Sequence, residues 1–131
     1  TKAHVWHNIQ EFPDQLDTQL GELGVNLSGG QKQRISIARA LIRKPRLLLM
    51  DDCLSAVDTE TEEIILHELR SLPQAPSIVM VSHRISTLRN CEQIIVLEDG
   101  EILEMGSPEE LMKLKGAYYE TYLQQLNEDQ A

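Results

Sequence analysis

Residues 26–58 read NLSGGQKQRISIARALIRKPRLLLMDDCLSAVD, and the fold follows from how this run divides. Leu27-Ser28-Gly29-Gly30-Gln31 opens a helix. Ser28-x-x-Gln31 has the form of a capping box, in which hydroxyl and side-chain amide each satisfy an orphan backbone N–H. Ile35, Ala38, Leu41 and Ile42 then mark a buried stripe, and Pro45 ends the helix. Arg46 to Asp51 is a short apolar run, as expected of a strand covered on both faces in a parallel sheet. It finishes in two carboxylates, Asp51 and Asp52, and Ser55-Ala56-Val57-Asp58 loops into the next helix.

Working outward, a second helix is expected from about Thr59 to Leu72. Its cap is a Thr59-x-x-Glu62 box, and Ile65, Leu69 and Leu72 face inward. Pro73 and Pro76 bracket a turn, and Ser77 to Val81 is a second buried strand. Strand, helix and strand make one βαβ unit, with a right-handed crossover as the default. Upstream, Val5, Ile9 and Phe12 space an amphipathic helix over Thr1 to Phe12, which Pro13 stops, and residues 14–26 read as a loop. Downstream, a short helix spans Ile85 to Asn90. Gln93–Leu97 and Glu101–Met105 form a hairpin through Asp99-Gly100. Ser107 and Pro108 start a helix to about Lys115. Gly116 breaks it, and Ala117 to Asn127 is a last amphipathic helix with Tyr118, Tyr122 and Leu126 on one side, followed by a fraying tail.

The 131 residues suffice for one modest core resting on Leu, Ile and Val, because only five residues are aromatic. No apolar run approaches the roughly 20 residues that span a bilayer, and no secretory signal opens the chain. The net charge of −9, from 21 acidic and 12 basic residues, argues against wrapping nucleic acid, which needs a basic face. A nucleotide is not excluded, since a few backbone N–H groups and one Mg²⁺ can hold phosphates locally. Cys53 and Cys91 have no Cys-x-x-Cys spacing and read as reduced thiols. The histidines His4, His7 and His67 lack ligand-like partners.

In open α/β sheets, ligands bind at the carboxyl ends of parallel strands. One strand here runs into Asp51-Asp52 and the other into Ser82-His83. Taken singly, Asp51 is a turn cap and His83 a solvated loop residue. Two carboxylates and an imidazole at the same rim favour a site. The Ser28-Gly29-Gly30 start offers exposed N–H groups and a positive dipole, which suits a phosphate, though a plain N-cap would look alike. Two glycines in a first turn cost about 1 kcal/mol each against Ala, which points to a close backbone approach.

Leu27-Ser28-Gly29-Gly30-Gln31, a helix, then LLLMDD and Ser55-Ala56-Val57-Asp58 resemble the signature motif, Walker B strand and D-loop of an ATP-binding-cassette (ABC) ATPase, in that family's order and spacing. Gly21-Glu22-x-Gly24 resembles the x-loop of ABC exporters, Val81-Ser82-His83-Arg84 the H-loop, and residues 106–111 the end of such domains. The resemblance implies a P-loop-NTPase-like α/β fold: an incomplete parallel sheet with flanking helices, plus a carboxyl-terminal hairpin and helices. Residues 1–44 would belong to the helical subdomain, with x-loop and signature helix. Residues 45–131 would hold Walker B, D-loop, H-loop and terminal helices. The cofactors implied are ATP and Mg²⁺. Asp51 would hold Mg²⁺ through water, Asp52 would polarise the attacking water, and His83 would contact the γ-phosphate. Leu27, Ser28, Gly29, Gly30 and Gln31 would face nucleotide bound mainly to a second nucleotide-binding domain, in a homo- or heterodimer, with Asp58 across that interface. Glu22 would face the membrane domain, which places the whole at the cytoplasmic face of a membrane.

Two departures qualify the resemblance. The chain contains no Gly-Lys pair and so no Walker A loop, which marks it as the carboxyl-terminal part of such a domain, expected to be inactive alone. Asp52 stands where the family usually has glutamate, one methylene short. That resembles the degenerate site of heterodimeric exporters. The leading expectation is therefore the ATPase portion of an exporter. The alternatives are a soluble ABC ATPase of DNA repair or chromosome maintenance, and a non-catalytic dimerisation or regulatory module.

Overall fold

The computed structural model describes residues 3–21 and 24–130. The chain forms two compact units, one ending at Val81 and the other beginning at Ser82.

In the first unit the helix expected over Thr1–Phe12 is only the single turn α1 (Trp6–Gln10). His4 takes a left-handed backbone (φ 52°), which a continuous helix cannot include. Ala3 and Val5 instead enter the core from the irregular turn that precedes α1, while Trp6 stays 39% exposed. The loop expected over 14–26 contains a 3₁₀ turn (Gln15–Asp17) and an isolated bridge between Leu20 and Val25.

Helix α2 (Gly29–Ile42) begins where expected, with both arms of the Ser28–Gln31 capping box formed. Its buried side chain is Ile37, which the stripe reading missed. Ile42, assigned to the stripe, is 79% exposed in the last turn. Strands β1 (Leu47–Asp51) and β2 (Ser77–Val81) pair in parallel, with Asp51 opposite Val81, so their carboxyl ends lie side by side. Only one face of β1 is covered. Leu48 and Met50 are buried, while Leu47 and Leu49 are 53% and 69% exposed. The expectation of two covered faces therefore fails within this chain. A continuous apolar run reads the same whether both of its faces are packed or one lies bare.

Helix α3 (Thr59–Arg70) crosses between the strands. Its cap is Asp58 rather than Thr59, with Asp58 Oδ1 accepting the Thr61 N–H at 2.9 Å. Ile65, Leu66 and Leu69 face inward and are buried with Leu48, Met50, Leu54 and Val57. Each buried branched side chain contributes about 1.5–3 kcal/mol, so this cluster is what holds the unit.

The second unit opens with α4 (Ile85–Leu88) and the antiparallel strands β3 (Ile94–Glu98) and β4 (Glu101–Gly106). Asp99 and Gly100 both have positive φ (50° and 82°), the two-residue turn whose twist matches a hairpin. Helix α5 (Pro108–Leu114) carries the second complete capping box, Ser107 with Glu110. Helix α6 (Ala117–Gln130) continues past Asn127, where fraying was expected. It is capped by Glu104, whose carboxylate accepts from Ala117 N–H (2.7 Å) and Tyr118 N–H (3.1 Å). Gly116 has no side chain because that carboxylate occupies the place of its Cβ. Ile85, Ile94, Leu111 and Tyr118 form this unit's core.

Candidate functional site

The first unit brings most of the sequence-derived residues into one packed cluster. The α2 start is open to solvent: Ser28 and Gly29 are exposed and Gly30 half-buried. Ser28 Oγ accepts from Gln31 N–H (3.2 Å), and Gln31 Oε1 accepts from Ser28 N–H (2.9 Å). Gln31 therefore spends its amide oxygen on the cap, and Leu27 is half-buried beside it. The N–H groups of Gly29 and Gly30 belong to the first turn, where no helix carbonyl can accept them.

The glycines have a second reason to be there. A Cβ on Gly30 would lie 2.8 Å from the carbonyl oxygen of Ala56, and one on Gly29 would lie 3.1 Å from Ala56 Cβ. The close approach that the glycine pair implied is thus made to this chain's own Ser55–Asp58 loop. One turn on, Gln33 reaches the same loop. Its Nε2 donates to the Asp52 carbonyl (3.1 Å) and to Ser55 Oγ (3.0 Å), and its Oε1 accepts from Ala56 N–H (3.0 Å).

Asp51 and Asp52 are both exposed at the tip of β1. Asp52 has a left-handed backbone (φ 50°), its N–H donating to the Val81 carbonyl at 3.2 Å. At the far end of the loop, the bond from Thr61 N–H holds the Asp58 carboxyl below the usual carboxylate range. Arg34 donates to backbone oxygens, Nη1 to His4 (2.9 Å) and Nε to Gly30 (3.3 Å).

His83 lies in the second unit and is exposed. Its loop is held by Gln125 of α6, which donates to the His83 carbonyl and accepts the Ile85 N–H at 2.9 Å. Ser82 Oγ accepts from Arg84 N–H at 3.1 Å. Glu22 falls outside the described residues. Cys53 and Cys91 are both half-buried thiols outside any disulfide.

Sequence reasoning missed Gln33 and Gln125. A signal existed for the first: Gln33 stands three and four residues after the glycines, so it shares their helix face. Gln125 carries no such signal, being about 40 residues from the loop it holds.

Among the described residues no group of three or more His, Cys, Asp or Glu side chains converges as a metal site. This donor set fits Mg²⁺ better than a fully protein-ligated ion, since Mg²⁺ keeps several waters and is held by one or two carboxylates plus phosphates. An apolar cavity of about 680 Å³, lined by Val5, Trp6, Ile9, Leu41 and Leu72 among others, contains none of the polar residues above. No helix among the described residues is long and apolar enough to cross a membrane.

The family model for ABC transporters matches residues 1–55. A solved bacterial Atm1-family ABC exporter with ATP bound superposes with a TM-score of 0.88 at 39% identity, covering 95% of this chain and 22% of that one. The chain belongs to the ABC transporter family. Within the family it corresponds to a carboxyl-terminal portion of the nucleotide-binding domain. Multidrug resistance protein 4 of Entamoeba histolytica is 50% identical over 117 residues, 89% of this chain and 9% of its own length. The ATP-dependent lipid A-core flippase of Shewanella oneidensis is 46% identical over 125 residues, 95% of this chain and 21% of its own length. The ABC chain described here thus spans less than a quarter of each of these relatives.

Proposed function

We propose that this chain supplies part of the ATP site of an ABC exporter, and that it works joined to a Walker A-bearing half and beside a second nucleotide-binding domain. The observation that carries the reading is the exposed Ser28–Gly30 turn packed, within one unit, against the loop bearing Asp52 and Asp58. Mg²⁺-ATP, when bound, supplies a phosphoryl group whose transfer to water releases the free energy for transport.

The chain's own groups have distinct tasks. Asp51 holds Mg²⁺-bound water at the strand tip. Asp52 accepts a hydrogen bond from the attacking water, and His83 donates to phosphate oxygen. Ser28 with the Gly29 and Gly30 N–H groups donates across the interface to the partner's nucleotide, as a positive helix end does for anions. Asp58 faces that interface, and Glu22 faces the membrane domain on the cytoplasmic side. Because Asp52 is one methylene shorter than glutamate, its carboxylate falls about 1.5 Å short, and the site of its own subunit turns over slowly.

The test uses the full-length subunit assembled with its partner in lipid vesicles. Asp51→Asn should abolish Mg²⁺-dependent ATP turnover at this chain's own site without changing the melting temperature. Unchanged single-site turnover would overturn the reading.

A further inference from the structure

Gln33 has no role in the reading above, yet it is the side chain that joins both halves of the site. Both hydrogens of its amide are spent on the carboxylate loop, one on the Asp52 carbonyl and one on Ser55 Oγ, and its oxygen receives the Ala56 N–H. Ser55 Oγ in turn donates to the Asp52 carbonyl at 3.1 Å. With its N–H on Val81, Asp52 has both backbone groups fixed.

This matters because Asp52 is left-handed. Aspartate tolerates that conformation better than most non-glycine residues, yet it still costs energy, so the hydrogen bonds on its backbone help to hold it there. Relaxed toward the extended region, its Cα–Cβ bond would swing and the carboxylate would point elsewhere. The bonds from Gln33 and Ser55 are what oppose that swing.

We propose that Gln33 is a positioning residue that aims the Asp52 carboxylate and ties it to the Ser28–Gly30 turn. The helix between them is continuous, and Gly30 abuts Ala56, so no flexible joint separates the turn from the loop. A shift of the turn against one nucleotide is therefore carried to the carboxylate serving the other. The proposal rests on the functional reading above, for Asp52 in particular.

The test compares Gln33→Leu, of similar size without hydrogen bonds, with Gln33→Glu, which keeps an acceptor for Ala56 but no amide donor for the Asp52 carbonyl. Both are made in the full-length subunit with its partner. Each should lower kcat at this site about 10- to 100-fold, the scale of a misplaced catalytic group, with ATP KM within about twofold. In an Asp52→Asn background, Gln33→Leu should cost nothing further, because its effect passes through that carboxylate. In the nucleotide-free protein the Ala56 amide should exchange about fivefold faster in Gln33→Leu, and at the wild-type rate in Gln33→Glu.

A wild-type kcat in both variants, or losses that add in the double variant, would overturn the proposal while leaving the functional reading intact. If Asp52→Asn is itself silent, the assignment of Asp52 has failed and the proposal falls with it. An Ala56 amide indifferent to Gln33→Leu would show that the clamp is absent.

Discussion

Substituting Gly30 by alanine sets two effects of opposite sign against each other. Alanine is the better helix former by up to about 1 kcal/mol, and by less in a first turn. Against this, the new Cβ would lie 2.8 Å from the Ala56 carbonyl oxygen, about half an ångström inside the usual carbon–oxygen contact. That oxygen belongs to a loop held by Gln33 and by the Asp58 cap, so it cannot simply rotate away. Overpacking of this kind costs about 1–3 kcal/mol. The net expectation is a loss of about 1–2 kcal/mol, or roughly 4–8 °C in melting temperature. Gly29→Ala should behave differently, because its Cβ meets a side-chain carbon, Ala56 Cβ, at 3.1 Å. Deleting that carbon with Ala56→Gly should relieve Gly29→Ala and leave Gly30→Ala as destabilised as before. Urea denaturation of the four variants, followed by helical circular dichroism, reads the difference. A Gly30→Ala chain as stable as wild type, or one rescued by Ala56→Gly, would refute the packing argument.

Other outcomes follow from the same geometry. Asp52→Glu in the full-length assembly should raise turnover at this site about tenfold or more by restoring the missing methylene. Asp58 has a lowered folded-state pKa, so its ionised cap contributes fully above the unfolded value and is lost as pH falls through the folded one. Stability of wild type relative to Asp58→Asn should therefore be constant above about pH 5 and fall below about pH 4, as pH-dependent melting would record. Gln125→Leu removes the acceptor for Ile85 N–H, a loss of about 1 kcal/mol. It should speed Ile85 amide exchange about fivefold.

What the sequence made legible was local. Ser28 with Gln31, Ser107 with Pro108 and Asp99 with Gly100 act across one to three residues, where the chain has no alternative partner to choose. The expectation for Thr59 failed by one position because Asp58 and Thr59 can both cap, and it is Asp58 whose side chain accepts the Thr61 N–H. The bare face of β1 was hidden for a related reason, since Leu47–Met50 contains no polar residue to mark the open side. Motif reading placed the glycine pair and the acid pair in sequence. It could not show that Gly30 packs on Ala56 or that Gln33 spans 19 residues to Asp52, because such contacts exist only once the helix and strand are stacked.

The Ser28 turn offers the sharpest separation of fold from function. Aspartate and asparagine cap a helix as well as serine does, so neither substitution should unfold α2. Aspartate, however, places a negative charge where the partner's nucleotide phosphate is expected. ATP turnover at the partner's site is the quantity to measure, in the full-length assembly carrying Ser28→Asp or Ser28→Asn. Ser28→Asp should reduce it at least tenfold more than Ser28→Asn, at equal melting temperatures. Equal turnover in the two variants would mean that no phosphate comes to this helix end.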